Sequence, residues 1–184
     1  MYILVPLFTA LIAVGTFIKI PMVPVPITLQ TLFIFLSALL LSPGQAAASV
    51  ALYLALGALG LPIFTSGGGI AAMLGPTGGF LIAMLPAAFI GSLIVRKDHS
   101  SIIKSIIALL AMEAVIYIIG ITWLKVQRDL TLAKALMGGF VPFIPGDIIK
   151  IAVAVIAAKY LYPEKEKLVE RRKARAENRR RVLV

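Results

Sequence analysis

The sequence predicts an all-α integral membrane protein of six transmembrane helices with both termini in the cytoplasm. Three observations predict it. Of 184 residues, 60% are hydrophobic and only 14% charged, whereas a soluble domain is about 45–50% apolar and about 25% charged. From Ile20 to Val95, 76 consecutive residues contain no Asp, Glu, Lys, Arg or His. The remaining basic residues then fall mainly on one side of the apolar segments, which is the charge asymmetry that orients membrane helices.

A span needs roughly 20 apolar residues, and somewhat shorter ones occur. Between Pro, Gly and charge punctuation the segments are Tyr2–Ile20, Ile27–Ser42, Gly44–Gly60, Gly78–Val95, Ser101–Trp123 and Pro145–Tyr162. Little more than Pro43 separates the second from the third, which predicts a tight helical hairpin, because Pro cannot continue the preceding helix. With the N-terminus inside, the inner side holds Arg96, Lys97, Lys104 and the ten basic residues from Lys159 onward, 13 in all. The outer side holds Lys19, Lys125, Arg128 and Lys134, and Lys150 falls within the last span, which completes the 18. The chain therefore divides into a transmembrane domain, 1–163, and a basic cytoplasmic tail, 164–184. No basic region precedes the first apolar run, so no signal peptide is expected.

This topology places the irregular backbone outside. The outer connections are Pro21–Pro26 (PMVPVP), Leu61–Thr77 and the segment from Lys125 to Ile144; 7 of the 15 glycines lie between Gly60 and Gly79. Non-helical backbone at membrane depth survives only where protein buries it or where it lines a cavity. Leu61–Thr77 thus reads as a lid or re-entrant wall over an outward-facing pocket, or as a flexible connector.

Several classes are excluded. The net charge of +10 is concentrated in the tail, where anionic lipid headgroups are a sufficient attraction, and no aromatic interleaving supports nucleic-acid binding. With no Cys and only His99 as histidine, no disulfide framework or thiol nucleophile is available and metal binding is limited, so no cofactor is expected. No phosphate-loop motif is present, so the chain does not hydrolyse ATP by that route.

Asp147 and Lys150 follow Pro142-Phe143-Ile144-Pro145-Gly146 and are three residues apart, so they share a helix face as the last span begins. Asp147 after Pro-Gly is also a good N-cap. Lys150 fits that structural role poorly, since a cation in the first turn opposes the macrodipole; ionisable residues within spans usually mark a ligand or ion path. Gln30, with Thr28 and Thr31, enters the second span and either lines a pocket or bonds to another helix. Glu113, Tyr117 and Gly120 share a face of the fifth span; Glu113 reads as a neutral acid, an ion partner or a proton site. Trp123 either anchors at the interface or stacks on a ligand. Thr9 and Ala13, beside Ala10, form a small-xxx-small surface suited to close helix approach.

These stretches resemble the BioY family, the biotin-binding S components of energy-coupling factor (ECF) transporters. The matching segments are Val25–Phe33, Gly57–Phe64, Gly67–Gly69, Gly75–Leu81, Tyr117-xx-Gly120-xx-Trp123-Leu124 and Pro142–Lys150, in the family's order. The resemblance implies a six-helix, multi-pass protein of a prokaryotic cell membrane, with an S-component-like bundle, that captures external biotin. It also implies a transmembrane coupling protein and a pair of ABC-type ATPases as partners. It assigns substrate contacts to Asp147 and Lys150, and places Gln30, Thr28, Tyr117, Trp123 and the loop residues Ser66, Gly67 and Gly68 around the substrate, with Ser66 near an asparagine of some members. It further implies docking of the coupling protein on Thr9, Ala10 and Ala13. The Ala-xxx-Ala spacing of that surface is imperfect, because Val14 follows Ala10. The alternatives are an S component for another small vitamin, or an intramembrane enzyme using Asp147 and Glu113; the second lacks a nucleophilic Cys or a metal-ligand cluster. A passive channel lacks rings of like charge.

Overall fold

The computed structural model describes residues 3–95 and 101–162. Tyr2, residues 96–100 with the single histidine His99, and the basic tail 164–184 lie outside the described residues. The chain is mostly helical. Its helices are α1 (Leu4–Phe17), α2 (Gln30–Leu40), α3 (Pro43–Ala58), α4 (Ile70–Met73), α5 (Gly78–Val95), α6 (Ile102–Gln127) and α7 (Leu132–Gly139). A 3-10 turn, Val141–Phe143, then leads into α8, residues 144–162. Six of these helices overlap the six apolar segments; α4 and α7 lie in two of the outer connections.

Helix α1 ends three residues sooner than the apolar pattern suggests. Pro21, Pro24 and Pro26 cannot donate to a helix, and the chain instead folds back as an antiparallel ladder, β1 (Lys19–Ile20) on β2 (Ile27–Thr28). The connection Pro21–Pro26 is thus the turn of a short hairpin in a chain that is otherwise helical and loop. Its return seats Leu29, whose N–H donates to the carbonyls of Gly15 and Ile18, both at 3.1 Å. The hairpin between α2 and α3 is as tight as Pro43 implies. Ser42 and Gln45 form a capping box with Pro43 at the start of the helix, which satisfies otherwise unpaired N–H groups of the first turn. Ser92 on α5 donates to the Leu41 carbonyl at 2.6 Å and ties this turn to the bundle.

Helix α5 packs most extensively on α6. Gly120 makes that approach possible, because a Cβ there would fall inside the Phe80 ring. The core runs through all the long helices, from Ile12 and Phe35 to Tyr53, Met112 and Ala154. Outside it, large apolar side chains remain exposed along the bundle, including Leu7, Phe89, Ile103, Ile118 and Ile156. A surface this apolar suits hydrocarbon, not water.

Among the described residues, three stretches are long and apolar enough to cross a membrane: Gly78–Val95, Ile102–Gln127 and Leu132–Tyr162. The amino-terminal half is built differently. At 1.5 Å rise per residue, the 11 residues of α2 reach only about 16 Å, against a hydrocarbon core of about 30 Å. Thr28 of the β1–β2 hairpin and Thr65 and Thr77 of the Leu61–Thr77 loop line a cavity.

Candidate functional site

The cavity lies between α2, α5, α6 and the start of α8. At its polar end stands the Asp147–Lys150 pair. Pro145 is tolerated in the first turn of α8, where its missing N–H has no intrahelical acceptor. Asp147 lies within that turn and is not its N-cap, since the helix already starts at residue 144. Its Oδ1 accepts from Lys150 Nζ at 3.0 Å, and its Oδ2 accepts from the Tyr117 hydroxyl of α6. Asp147 and Lys150 are only 7% and 5% exposed. Such burial is tolerated for charges only when they are paired and hydrogen-bonded.

An aromatic wall holds Tyr117 in place. Its ring meets Phe140 edge-on at 4.8 Å and Phe80 edge-on at 6.4 Å, geometries that aromatic quadrupoles favour. From α2, Gln30 is buried, lines the cavity and donates from Nε2 to Met84 Sδ at 3.3 Å. It therefore serves as pocket lining and interhelical bond together. Thr28 Oγ1 accepts from the Gln30 N–H at 3.3 Å. Val25 and Pro26 from the Pro21–Pro26 loop, with Thr65 and Thr77 from the Leu61–Thr77 loop, also line it.

The two loops are tied to the bundle and to each other. Lys19 Nζ donates to the Thr65 carbonyl at 3.2 Å. The Tyr53 hydroxyl donates to the Ile63 carbonyl at 3.0 Å and lies 3.1 Å from the Thr16 hydroxyl. Phe64 packs edge-on against Tyr53, in a seat that exists because residue 57 is Gly; a Cβ there would overlap the Phe64 ring. Trp123 Nε1 donates to the Gly75 carbonyl at 2.9 Å. With this many fixed points, Leu61–Thr77 is a built wall and not a loose connector.

Of the residues expected around a substrate, Thr28, Gln30, Tyr117, Asp147 and Lys150 line the cavity. Ser66, Gly67, Gly68 and Trp123 are not among its lining residues. Phe64 and Gly67 exchange backbone hydrogen bonds of 2.9 and 3.0 Å, and of the two residues at the tip of that turn, Thr65 lines the cavity while Ser66 is exposed. Gly67 closes the turn with a φ of +108°, a conformation Gly adopts without steric cost. Gly68 packs against the carbonyls of Gly60 and Leu61. Trp123 acts through its bond to Gly75.

The three residues expected to dock the coupling protein differ in exposure. Thr9 is buried, and its hydroxyl bonds to the Val5 carbonyl at 3.0 Å and the Ser49 carbonyl of α3 at 2.9 Å. Ala13 is half-buried against the core, and only Ala10 of the three is exposed. The open face of α1 carries Leu7, Ala10, Val14 and Phe17, at the three- and four-residue spacing of one helical face.

Sequence reading missed the roles of Phe80, Met84, Thr77 and Phe143, and left Glu113 open between a neutral acid, an ion partner and a proton site. Helical spacing held part of the signal: Phe80 and Met84 are four apart on α5, and Glu113, Ile116 and Tyr117 share a face of α6, all lining the cavity. Chemically, the site offers a cation, two acids and hydroxyls around an apolar body. It suits a small, mostly apolar molecule with a few polar groups, as ligand pockets commonly do.

Comparison with known proteins bears on this site. The BioY family model matches residues 1–167. A Pyrococcus horikoshii protein named "Probable biotin transporter BioY" is 45% identical over 159 residues, covering 86% of this chain and 93% of the relative. A Thermotoga maritima protein named "Biotin transporter BioY" is 41% identical over 153 residues, 83% of this chain and 89% of the relative. Among solved structures, the S-component for biotin from an ECF-type ABC transporter superposes with a TM-score of 0.79 at 34% identity, covering 87% of this chain and 89% of that one.

Proposed function

The chain belongs to the BioY family, and from that premise we propose that it captures biotin as the membrane substrate-binding subunit of an ECF-type transporter. The observation that carries this reading is the buried Asp147–Lys150 pair, braced by Tyr117, at the end of an apolar-walled cavity. Biotin matches it group by group. The ureido N–H donors suit carboxylate oxygens, the ureido carbonyl or the valerate carboxylate suits Lys150, and the fused rings suit Phe80, Met84 and Phe143.

The proposal extends to topology, partners and location. Helices α1, α2, α3, α5, α6 and α8 cross the cell membrane of a prokaryote with both termini cytoplasmic, and residues 164–184 form a basic tail at the inner lipid surface. The distribution of Lys and Arg supports this orientation, as does the position of the cavity on the side of the two loops. A coupling protein and a pair of ABC-type ATPases energise release inward; the exposed α1 face around Ala10 is where the coupling protein docks. The subunit is a transporter component and not an enzyme.

Titration calorimetry of the detergent-purified protein with biotin, riboflavin and thiamine tests the reading. Binding of biotin alone is expected. Lys150→Ala and Asp147→Asn are each expected to weaken it at least about thirtyfold, the low end for truncating one member of a buried charge pair. Unchanged affinity in both variants removes the site assignment, and selective binding of riboflavin or thiamine replaces the substrate.

A further inference from the structure

We propose that Glu113 is a substrate-specificity residue, accepting a hydrogen bond from a ring N–H of the bound ligand, with Thr31 as a second, weaker contact. This deepens the reading above and rests on it. The argument begins with what Asp147 already holds: Oδ1 takes Lys150 at 3.0 Å and Oδ2 takes the Tyr117 hydroxyl. Both oxygens are engaged in holding the site together. Two other polar atoms on the same cavity are not engaged. Glu113 Oε1 and Thr31 Oγ1 are buried, and neither has a hydrogen-bond partner among the described residues.

Buried polar atoms are paired in the great majority of cases, so an exception calls for a cause. Glu113 is only 8% exposed, and a carboxyl oxygen held there without a partner costs stability that an apolar residue would not. Its neighbours at three and four residues, Ile116 and Tyr117, also line the cavity, so the cavity face of α6 is the face that carries Glu113. The missing partner is therefore expected to arrive from the cavity. A ligand carboxylate would stand beside the Asp147 carboxylate, and a ligand cation beside the Lys150 ammonium. A neutral ring N–H satisfies the acid without either conflict. The resulting preference is strong in principle, because a site built to receive an N–H rejects an analogue that lacks it.

The test combines binding and stability. Glu113→Met keeps the bulk and removes the acceptor, Glu113→Gln keeps an acceptor oxygen, and Thr31→Val removes the hydroxyl at similar shape. The ligands are biotin and its two derivatives methylated at one or the other ureido nitrogen. Glu113→Met is expected to weaken biotin about tenfold to hundredfold, the cost of leaving the ligand N–H buried without an acceptor, while raising the melting temperature of the ligand-free protein. Glu113→Gln is expected to lose less than Glu113→Met, and Thr31→Val to lose about threefold to tenfold. One methylated derivative is expected to bind the unaltered protein weakly and to lose nothing further in Glu113→Met.

Biotin affinity of Glu113→Met within threefold of the unaltered protein overturns the assignment. So does a melting temperature that falls together with the affinity, because Glu113 would then be a structural member of the bundle. Additive losses for both methylated derivatives overturn it as well. If the unaltered protein does not bind biotin, the proposed function falls, and this assignment with it.

Discussion

Replacing Asp147 by Asn is the most informative single perturbation of the cavity. Lys150 is 5% exposed and its ammonium contacts Asp147 Oδ1 at 3.0 Å. The Asn side chain preserves the shape and can still accept from Tyr117, but it leaves Lys150 without a counter-charge. Removing one partner of a buried ion pair costs about 3–5 kcal/mol. For a chain of this size 1 kcal/mol corresponds to about 2–4 °C in Tm, so a fall of about 6–20 °C is expected. Lys150→Met strands the carboxylate in the same way, although Tyr117 still satisfies one oxygen, and its cost should be smaller. The double variant Asp147→Asn/Lys150→Met removes both charges and should unfold above either single one, since replacing a whole buried pair is often neutral or stabilising. The single tryptophan, Trp123, is bonded to the cavity wall at Gly75 and provides a fluorescence signal for thermal unfolding in detergent. Biotin titration of the same samples should show binding lost in all three. A double variant whose destabilisation equals the sum of the two single ones would refute the reasoning, because the charges would then not be coupled.

Three further outcomes follow from the contacts around the cavity. Tyr117→Phe keeps the aromatic wall but removes the donor to Asp147; biotin affinity by calorimetry is expected to fall about threefold to thirtyfold, with both aromatic contacts retained. Gly57→Val places side-chain atoms where the Phe64 ring sits, and a loss of about 1–3 kcal/mol in denaturant unfolding is expected from overpacking. For topology, the chain has no cysteine, so a single Ser66→Cys is a clean reporter. A membrane-impermeant maleimide should label it in intact cells, whereas Ala174→Cys in the tail should label only after lysis.

The membrane class was legible in the sequence because it follows from counting. A charge-free run of 76 residues and 18 basic residues gathered mainly at one end restrict the environment whatever the packing. The Asp147–Lys150 pair was legible for a related reason: ionised groups are costly within a bilayer, and a three-residue spacing puts the two on one face. The tight α2–α3 turn followed from Pro43, whose constraint is local. The roles of Thr9, Trp123, Phe80 and Glu113 were not legible. In a soluble helix, polarity distinguishes the outward face from the inward one. Here the lipid side and the protein side are both apolar, so the pattern does not say that Thr9 turns toward Ser49 while Ala10 and Val14 turn out. Nor can spacing along α6 show that Tyr117 reaches Asp147, thirty residues away, or that Glu113 is left beside them with an oxygen unpaired. Those outcomes depend on how close the helices come, which glycines such as Gly120 and Gly57 permit and only the assembled bundle determines. The sequence by itself determined the solvent, the segments and the rare charges; the tertiary structure decided which faces meet, because in a chain apolar on every side only packing distinguishes a neighbouring helix from lipid.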